Sequence, residues 1–360
     1  MRKAIRPQLK ESLRSDREVW WTQKVKEMEE AEKAGNARRL FQLIRATGPR
    51  KPPEIMPDNE HSQLNLINRT IQCLRGQLCP FGFELAPFLV GWYNDIVSAR
   101  LKIDTVTAPS DDCVALCIIS SPHMFENSFL HHLFDWFKGD EVTSLANALK
   151  SIKPNLNGCV ALPGPNDPLD WSVLLRIHDA MEASLGDLKA QLPSEEYQKL
   201  IPSRFIPDYA MKPVVRLPYI HVQCAGHVSG IAYFHRDDPI HGSSSAGGCS
   251  LHPHYGGWFG FRGAIVFPNL RCPTLPRPVP ISSLPPGHPP FPPESVTLLL
   301  DSYRNRWREN EWRNLGLPRD STNIYSPAAR CFFNTPPEKR AALLEGWVRN
   351  ADLLSFADTL

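Results

Sequence analysis

No stretch of this 360-residue chain approaches the ~18 consecutive apolar residues of a membrane-spanning helix. The start, Met1-Arg-Lys-Ala-Ile-Arg-Pro7, lacks the apolar core of a secretory signal, and Glu11 and Asp16 soon interrupt its basic character. No Cys-x-x-Cys pair occurs among nine cysteines, so neither a zinc ribbon nor a thioredoxin-type site is legible. Their odd number and irregular spacing fit reduced thiols in a cytoplasmic protein. An excess of one charge is missing too: 40 Lys and Arg against 38 Asp and Glu leave +2, which gives no field to draw nucleic acid to the whole chain. There is no Gly-x-Ser-x-Gly elbow, no Walker loop, no strand-linked Gly-x-Gly-x-x-Gly and no His-Glu-x-x-His. Serine hydrolase, P-loop, Rossmann and zincin readings therefore have no motif behind them.

What is present divides into three regions. Residues 1–50 are basic and patterned as a helical appendage. Trp21, Val25 and Met28 recur at helical spacing before Gly35-Asn36, and Leu40, Leu43 and Ile44 share a face before Gly48-Pro49. Lys51-Pro-Pro-Glu-Ile-Met-Pro57 opens a linker over 51–63, since consecutive prolines do not continue a helix. From 64 to 350 the pattern mixes helices and strands. A helix is expected over 64–76, strands at Cys113-Val-Ala-Leu-Cys-Ile-Ile-Ser120 and Ala264-Ile-Val-Phe267, and helices over 124–137 and 171–191. Residues 138–170 read as a loop-rich insertion. Residues 273–293 are proline-rich and extended, a loop expected to cover the domain surface. Helices then resume over 296–315, with Leu299, Tyr303 and Trp307 inward, and over 338–349, with Leu343, Leu344 and Trp347 inward. The sum is an α+β sandwich.

The segment with most chemical content is Gly247-Gly-Cys-Ser-Leu-His-Pro-His-Tyr-Gly-Gly-Trp-Phe-Gly-Phe-Arg-Gly263. It holds six glycines, four aromatics and two histidines in 17 residues. Glycine lets backbone approach a flat ligand, aromatics supply broad walls, and Arg262 brings a fork suited to carboxylate or phosphate. A large cofactor with polar fringes and an ordinary glycine-rich hairpin fit this composition equally. His227, in Gln223-Cys-Ala-Gly-His-Val-Ser-Gly230, sits among small apolar residues, as core histidines do. His221, His235, His241, His252 and His254 crowd nearby, but their spacing matches no established ligand pattern, and no protein-bound metal is expected.

Five blocks, in order, resemble the CblC family, named for methylmalonic aciduria and homocystinuria type C. They are Leu78-Cys-Pro-Phe-Gly-Phe-Glu84 with Trp92-Tyr-Asn94; Gln223-x-Ala-x-His-Val-x-Gly230; His252-Pro-x-x-Gly-Gly-Trp-Phe-x-x-Arg-Gly263; Trp307-Arg308 with Trp312-Arg313; and Thr335-Pro-Pro-x-x-Arg340. The resemblance implies a flavin-reductase or nitroreductase-like form of the α+β sandwich. It implies cobalamin (vitamin B12) as substrate and cargo, decyanated with electrons from reduced FAD or FMN, or dealkylated by glutathione. A non-catalytic cobalamin chaperone and a flavin nitroreductase-like enzyme without cobalamin are the alternatives. A CblD-type adaptor protein, a flavoprotein reductase and a homodimer are the partners it implies. Catalysis would rest on cobalt and glutathione, with no catalytic side chain.

Carried over position by position, the resemblance implies cobalamin contacts at Asp208, Ile220, His221, Val222, Gln223, His227, Phe234, His235, Arg236, Ser250, Trp258 and Phe261. His235, Arg236, Ser250 and Phe261 depart from the family's usual types, and the match needs one extra residue between Pro213 and Gln223. Arg262, Arg313 and Arg340 match glutathione positions, where arginine forks suit the two carboxylates of the tripeptide. Ala225 stands where histidine-ligating cobalamin enzymes have Asp in Asp-x-His-x-x-Gly. His227 is therefore expected to line the pocket without ligating cobalt, because a ligating imidazole needs an acceptor behind it. Separately, Ser15-Asp-Arg-Glu-Val-Trp-Trp-Thr-Gln23 and Glu29–Arg45 resemble the connector of retrotransposon endonuclease–reverse transcriptase polyproteins, without the polymerase Asp-Asp pair.

Overall fold

A computed structural model describes residues 58–138, 144–152, 158–236, 247–279, 293–315, 317 and 321–349, together with Lys26. The helices expected within 1–50, the retrotransposon-like segment, most of the 51–63 linker, His241 and the proline-rich stretch from 280 to 292 lie outside the described residues. Backbone contacts divide the chain into Met1–Asn59 and Glu60–Leu360; the architecture below is that of the second unit.

The centre is an antiparallel sheet of four strands in the order β1-β2-β6-β3. They are β1 (Phe83–Leu89), β2 (Cys113–Ser120), β3 (Arg204–Pro207) and β6 (Gly260–Arg271). Every residue of β2 is buried. A strand buried on both faces reads as one continuous apolar run, which is how Cys113–Ser120 reads. Its alternation sorts two cores. Val114, Leu116 and Ile118 face one cluster with Ile265 and Phe267 of β6, while Cys113, Ala115, Cys117 and Ile119 face another with Ala264 and Val266.

The first face is covered by α1 (Asp58–Leu78), the helical run of Phe125–Leu130 and α3 (His131–Trp136), and α5 (Pro168–Gln191), whose buried side chains join that cluster. Asp167 caps α5: its carboxylate accepts from the Asp170 amide at 3.1 Å, and Pro168 takes the first helical position, where no amide is needed. The second face carries α2 (Val90–Ile96) and α7 (Val222–Val228). Between α5 and β3 runs α6 (Ser194–Leu200), and a separate two-stranded ladder pairs β4 (Tyr233–His235) with β5 (Cys249–Leu251). Helices α8 (Pro293–Asn305), α9 (Glu311–Asn314), α10 (Pro327–Asn334) and α11 (Pro337–Arg349) complete the described chain. The mixture of helices and an antiparallel sheet is α+β, as expected.

Three expectations change. The loop-rich stretch 138–170 holds a helix, α4 (Leu145–Ser151), capped by the Ser144 hydroxyl, and Leu145 and Leu149 are buried in the first core. The helix expected over 296–315 ends at Asn305. A short turn at Trp307–Glu309 follows, and Asn310 adopts the left-handed region at φ 61°. Trp307 is consequently 52% exposed, and Trp312, 8% exposed, takes the inward place expected of it. The glycine-rich segment is likewise not one hairpin. It finishes β5, turns back through a His252–Gly256 bridge, and enters β6 at Gly260. Among the described residues no helix is long and apolar enough to cross a membrane.

Candidate functional site

The residues singled out from the sequence collect at the Gly260 end of β6, in two groups. The first surrounds α7. His221 caps this helix, its Nδ1 accepting from the Cys224 amide at 3.4 Å, and its own amide donates to the Tyr93 hydroxyl at 2.9 Å. Ile220 is buried just before the cap, and Val222 and Gln223 form the first turn. Gln223 Nε2 donates to the Gly248 carbonyl at 3.4 Å, tying α7 to the β4–β5 ladder. In that ladder Phe234 is paired with Ser250, and Phe234 stands 5.6 Å from the His221 ring. The Arg236 guanidinium lies 5.4 Å from the Phe234 ring. Phe261 packs on α7 at Gly226, where an added Cβ would lie 2.7 Å from the ring's Cζ. Glycine at this position is what lets the aromatic ring lie against the helix backbone.

The imidazoles of this group are held neutral. Burial lowers the pKa of His221 and of His227, with Arg236 and Arg277 respectively adding to the effect. Burial, and then His227, brings His235 down to about 4. Burial also raises the Cys224 thiol to about 11. His227 Nδ1 accepts from the Phe234 amide at 3.4 Å, and its ring meets Tyr233 edge-on at 5.0 Å. An imidazole whose Nδ1 accepts from an amide lacks the Nδ1–H that a metal ligand donates to its supporting acceptor. Ser250 Oγ is buried and has no hydrogen-bond partner among the described residues. Among the described residues no group of His, Cys, Asp and Glu is arranged to hold a metal ion.

The second group is built around the three arginines. Across the β2–β6 ladder Ile118 faces Gly263 and Ile119 faces Phe261, which leaves Arg262 as the extra residue of a β-bulge. A bulge re-aims a side chain out of the pleat's alternation. Phe261 packs toward α7, while Arg262, 7% exposed, sends Nε to Ser120 Oγ at 2.8 Å. The Asp208 amide donates to the Arg262 carbonyl at 3.3 Å, so Asp208 stands with this group rather than with α7. Asp170, near the start of α5, senses both Arg262 and Arg340. Burial, then Asp167 and Asp208, pushes its carboxyl up to about 7 against the pull of the two cations. Burial likewise raises Asp208, opposed first by Arg262.

Arg313 donates from Nε to Asn310 Oδ1 at 3.0 Å and from a terminal nitrogen to the Gly257 carbonyl. Its guanidinium lies 4.4 Å from the Trp312 ring, 5.5 Å from Trp258 and 5.4 Å from Tyr325. Trp258 is in this group too: its Nε1 donates to Asn314 Oδ1 at 2.9 Å, and its ring meets Tyr325 edge-on. Tyr325 stacks on Phe333 at 4.8 Å, and Arg340 donates to the Phe333 and Thr335 carbonyls. The three arginines are thus linked through Asp170 on one side and the Tyr325–Phe333 stack on the other.

Sequence reasoning missed Ser120, Asp170 and Tyr325. Asp170 fell in the stretch expected to be a loop, and nothing local showed that it would face Arg262 and Arg340, 92 and 170 positions further on. The site sets an aromatic-walled face with neutral imidazoles beside a cationic one, on an α+β sheet.

The family model of the methylmalonic aciduria and homocystinuria type C family matches residues 82–344, and the chain belongs to that family. It is 28% identical over 277 residues to the human cyanocobalamin reductase / alkylcobalamin dealkylase, covering 76% of this chain and 80% of the relative. It is 28% identical over 292 residues to the MMACHC-like protein of Caenorhabditis elegans, covering 74% of this chain and 89% of that one. The crystal structure of the C. elegans B12-trafficking protein CblC shares the fold, with a TM-score of 0.55 and 24% identity over 80% of this chain and 98% of that chain.

Proposed function

We propose that this protein processes cobalamin, removing cyanide or an alkyl group from the upper face of the corrin. The carrying observation is the gathering of α7, the β4–β5 ladder and Phe261 into one half-buried, aromatic wall with neutral imidazoles, directly beside a cluster of three arginines. A neutral face with aromatic rings suits a broad apolar macrocycle, and the unpartnered Ser250 hydroxyl offers a hydrogen bond to one of its polar fringes. Cobalt in the substrate carries the difficult chemistry. The nitroreductase-like form of the sandwich and the cytoplasmic setting belong to the same reading, as do a CblD-type adaptor and a flavoprotein reductase as partners.

In dealkylation, the thiolate of glutathione attacks the carbon bound to cobalt. A carbon–sulfur bond forms, the cobalt–carbon bond breaks, and its electron pair leaves with cobalt as Co(I). Arg262, Arg313 and Arg340 hold the two carboxylates of the tripeptide and fix the sulfur over the corrin, which lowers the entropic part of the barrier. In decyanation, reduced FAD or FMN supplies electrons to Co(III) and cyanide departs; no residue here is assigned to the flavin. His227 contributes a wall and no cobalt bond, so the lower nucleotide base is displaced without replacement.

The test is a titration with methylcobalamin followed by absorbance. A saturable shift to the base-off spectrum, then glutathione-dependent loss of the methyl group, is the expected outcome. Binding with the base-off shift and no turnover would leave a chaperone, and absence of any shift would remove cobalamin from the reading.

A further inference from the structure

A cavity of about 420 Å³ opens where the end of α1 meets the start of β1, and none of the residues assigned above to cobalamin or glutathione lines it. Its walls carry one guanidinium, Arg75, and one carboxylate, Glu84. Arg75 is exposed at the end of α1 and anchored there by a single hydrogen bond, from a terminal nitrogen to the Leu85 carbonyl at 3.2 Å. Glu84 is fixed from behind. One oxygen accepts from the Tyr255 hydroxyl, and the other lies 3.6 Å from Nε2 of buried His252. Tyr255 and His252 are themselves stacked at 4.5 Å. Burial works to raise the Glu84 pKa, but the hydrogen bonds from His252 and Tyr255 outweigh it and hold the carboxyl below its ordinary value.

Arg75 and Glu84 form no ion pair with each other within 4.0 Å. The Cys79 thiol lies in reach of both charges, and burial raises its pKa, so it stays a neutral group in the cavity. Phe83 and Leu85 adjoin the cavity through their backbone, their side chains being buried in the first core at 0% and 2% exposed. Opposite charges held apart on one cavity wall are complementary to a molecule with the reverse pair. Carboxylate oxygens also keep lone pairs for further donors after two contacts.

We propose that this cavity binds an α-amino-acid zwitterion, its carboxylate on Arg75 and its ammonium on Glu84. The site is independent of the cobalamin reading, and binding is measured on the full chain without cobalamin. The probe is L-leucine, followed by calorimetry beside leucinamide, which lacks the carboxylate, and 4-methylpentanoate, which lacks the ammonium. Leucine should saturate the site, with both analogues weaker by about tenfold or more, the loss of one charge-assisted contact. Arg75→Gln, an exposed position, should weaken leucine by the same factor and leave the melting temperature unchanged. The proposal is overturned by no saturable heat with leucine up to ~10 mM, by analogues that bind as well as leucine, or by unaltered leucine binding in Arg75→Gln. The γ-glutamyl end of glutathione carries the same head group. Displacement of leucine by glutathione in the wild type would place a second peptide here, apart from the one held by Arg262, Arg313 and Arg340, and its failure would make a free amino acid the source; either sustains the site.

Discussion

Substituting Gly257 by alanine should unseat Arg313 and lower stability at once. An added Cβ would stand 2.5 Å from Cζ3 of Trp312 and 2.8 Å from the Cα of Arg313. The second of these is backbone, so no rotamer change relieves it. The same glycine donates its amide to the Arg313 carbonyl at 2.9 Å and accepts from the Arg313 guanidinium. Overpacking costs ~1–3 kcal/mol, and each hydrogen bond stretched by the displacement ~0.5–1.5 kcal/mol. A total of about 3 kcal/mol is a large share of the ~5–15 kcal/mol that holds a domain folded. For a unit of this size it lowers the melting temperature by roughly 5 °C. Urea denaturation at pH 7 measures it as a lower midpoint with an unchanged slope. In the surviving folded protein, Arg313 displaced by about 1 Å should reduce glutathione-dependent dealkylation by up to ~100-fold, while flavin-driven decyanation stays within about twofold. A Gly257→Ala protein within ~0.5 kcal/mol of wild type would refute the claim that this glycine seats the arginine helix.

Asp170→Asn should change how stability responds to pH. The folded carboxyl titrates at about 7, above the ordinary 3.8, so the folded state binds the extra proton. That stabilisation is full below pH ~4 and is lost as pH rises through ~7, by at most ~4 kcal/mol. The asparagine variant should lose less stability between pH 5 and 7.5 in urea titrations, and an identical slope in both proteins would contradict the assignment. His227→Ala should leave the spectrum of bound cobalamin base-off; a cobalt–imidazole signature present in the wild type and absent in the variant would overturn the pocket-wall role. Arg262→Ala should raise the glutathione KM about tenfold or more, as loss of a bidentate carboxylate contact does, and retain cobalamin binding. Unchanged glutathione dependence would remove Arg262 from that site.

The parts of the fold legible in the sequence are those set by local pattern. Strand β2 runs over the same residues as the apolar run that announced it, because burial on both faces leaves no polar position to blur its ends. Helix α5 was legible over 171–191 through its apolar period, whereas its first turn, from Pro168 behind the Asp167 cap, fell in the stretch expected to be a loop. Trp307 was misplaced because helical periodicity carries no information about where packing stops a helix, and the turn through Asn310 resets the phase. The candidate residues were legible only as a set, through their family pattern. Their division into a neutral group on α7 and a cationic group with Trp258 and Asp208 was not. That division depends on the bulge at Arg262, and a bulge is defined by the partner strand, 142 residues away at Ser120.

The bulge makes Arg262 a detachable part. A β6 shortened by this one residue would still pair Phe261 and Gly263 with consecutive positions of β2, so the ladder with β2 does not depend on it. Substitution of the arginine keeps the backbone carbonyl that accepts from the Asp208 amide, whereas deletion removes that bond as well, so the two losses separate the side chain's task from the backbone's. Two proteins with the same sheet and the same α7 wall could then differ in whether they accept a thiol substrate through the presence of a single inserted residue.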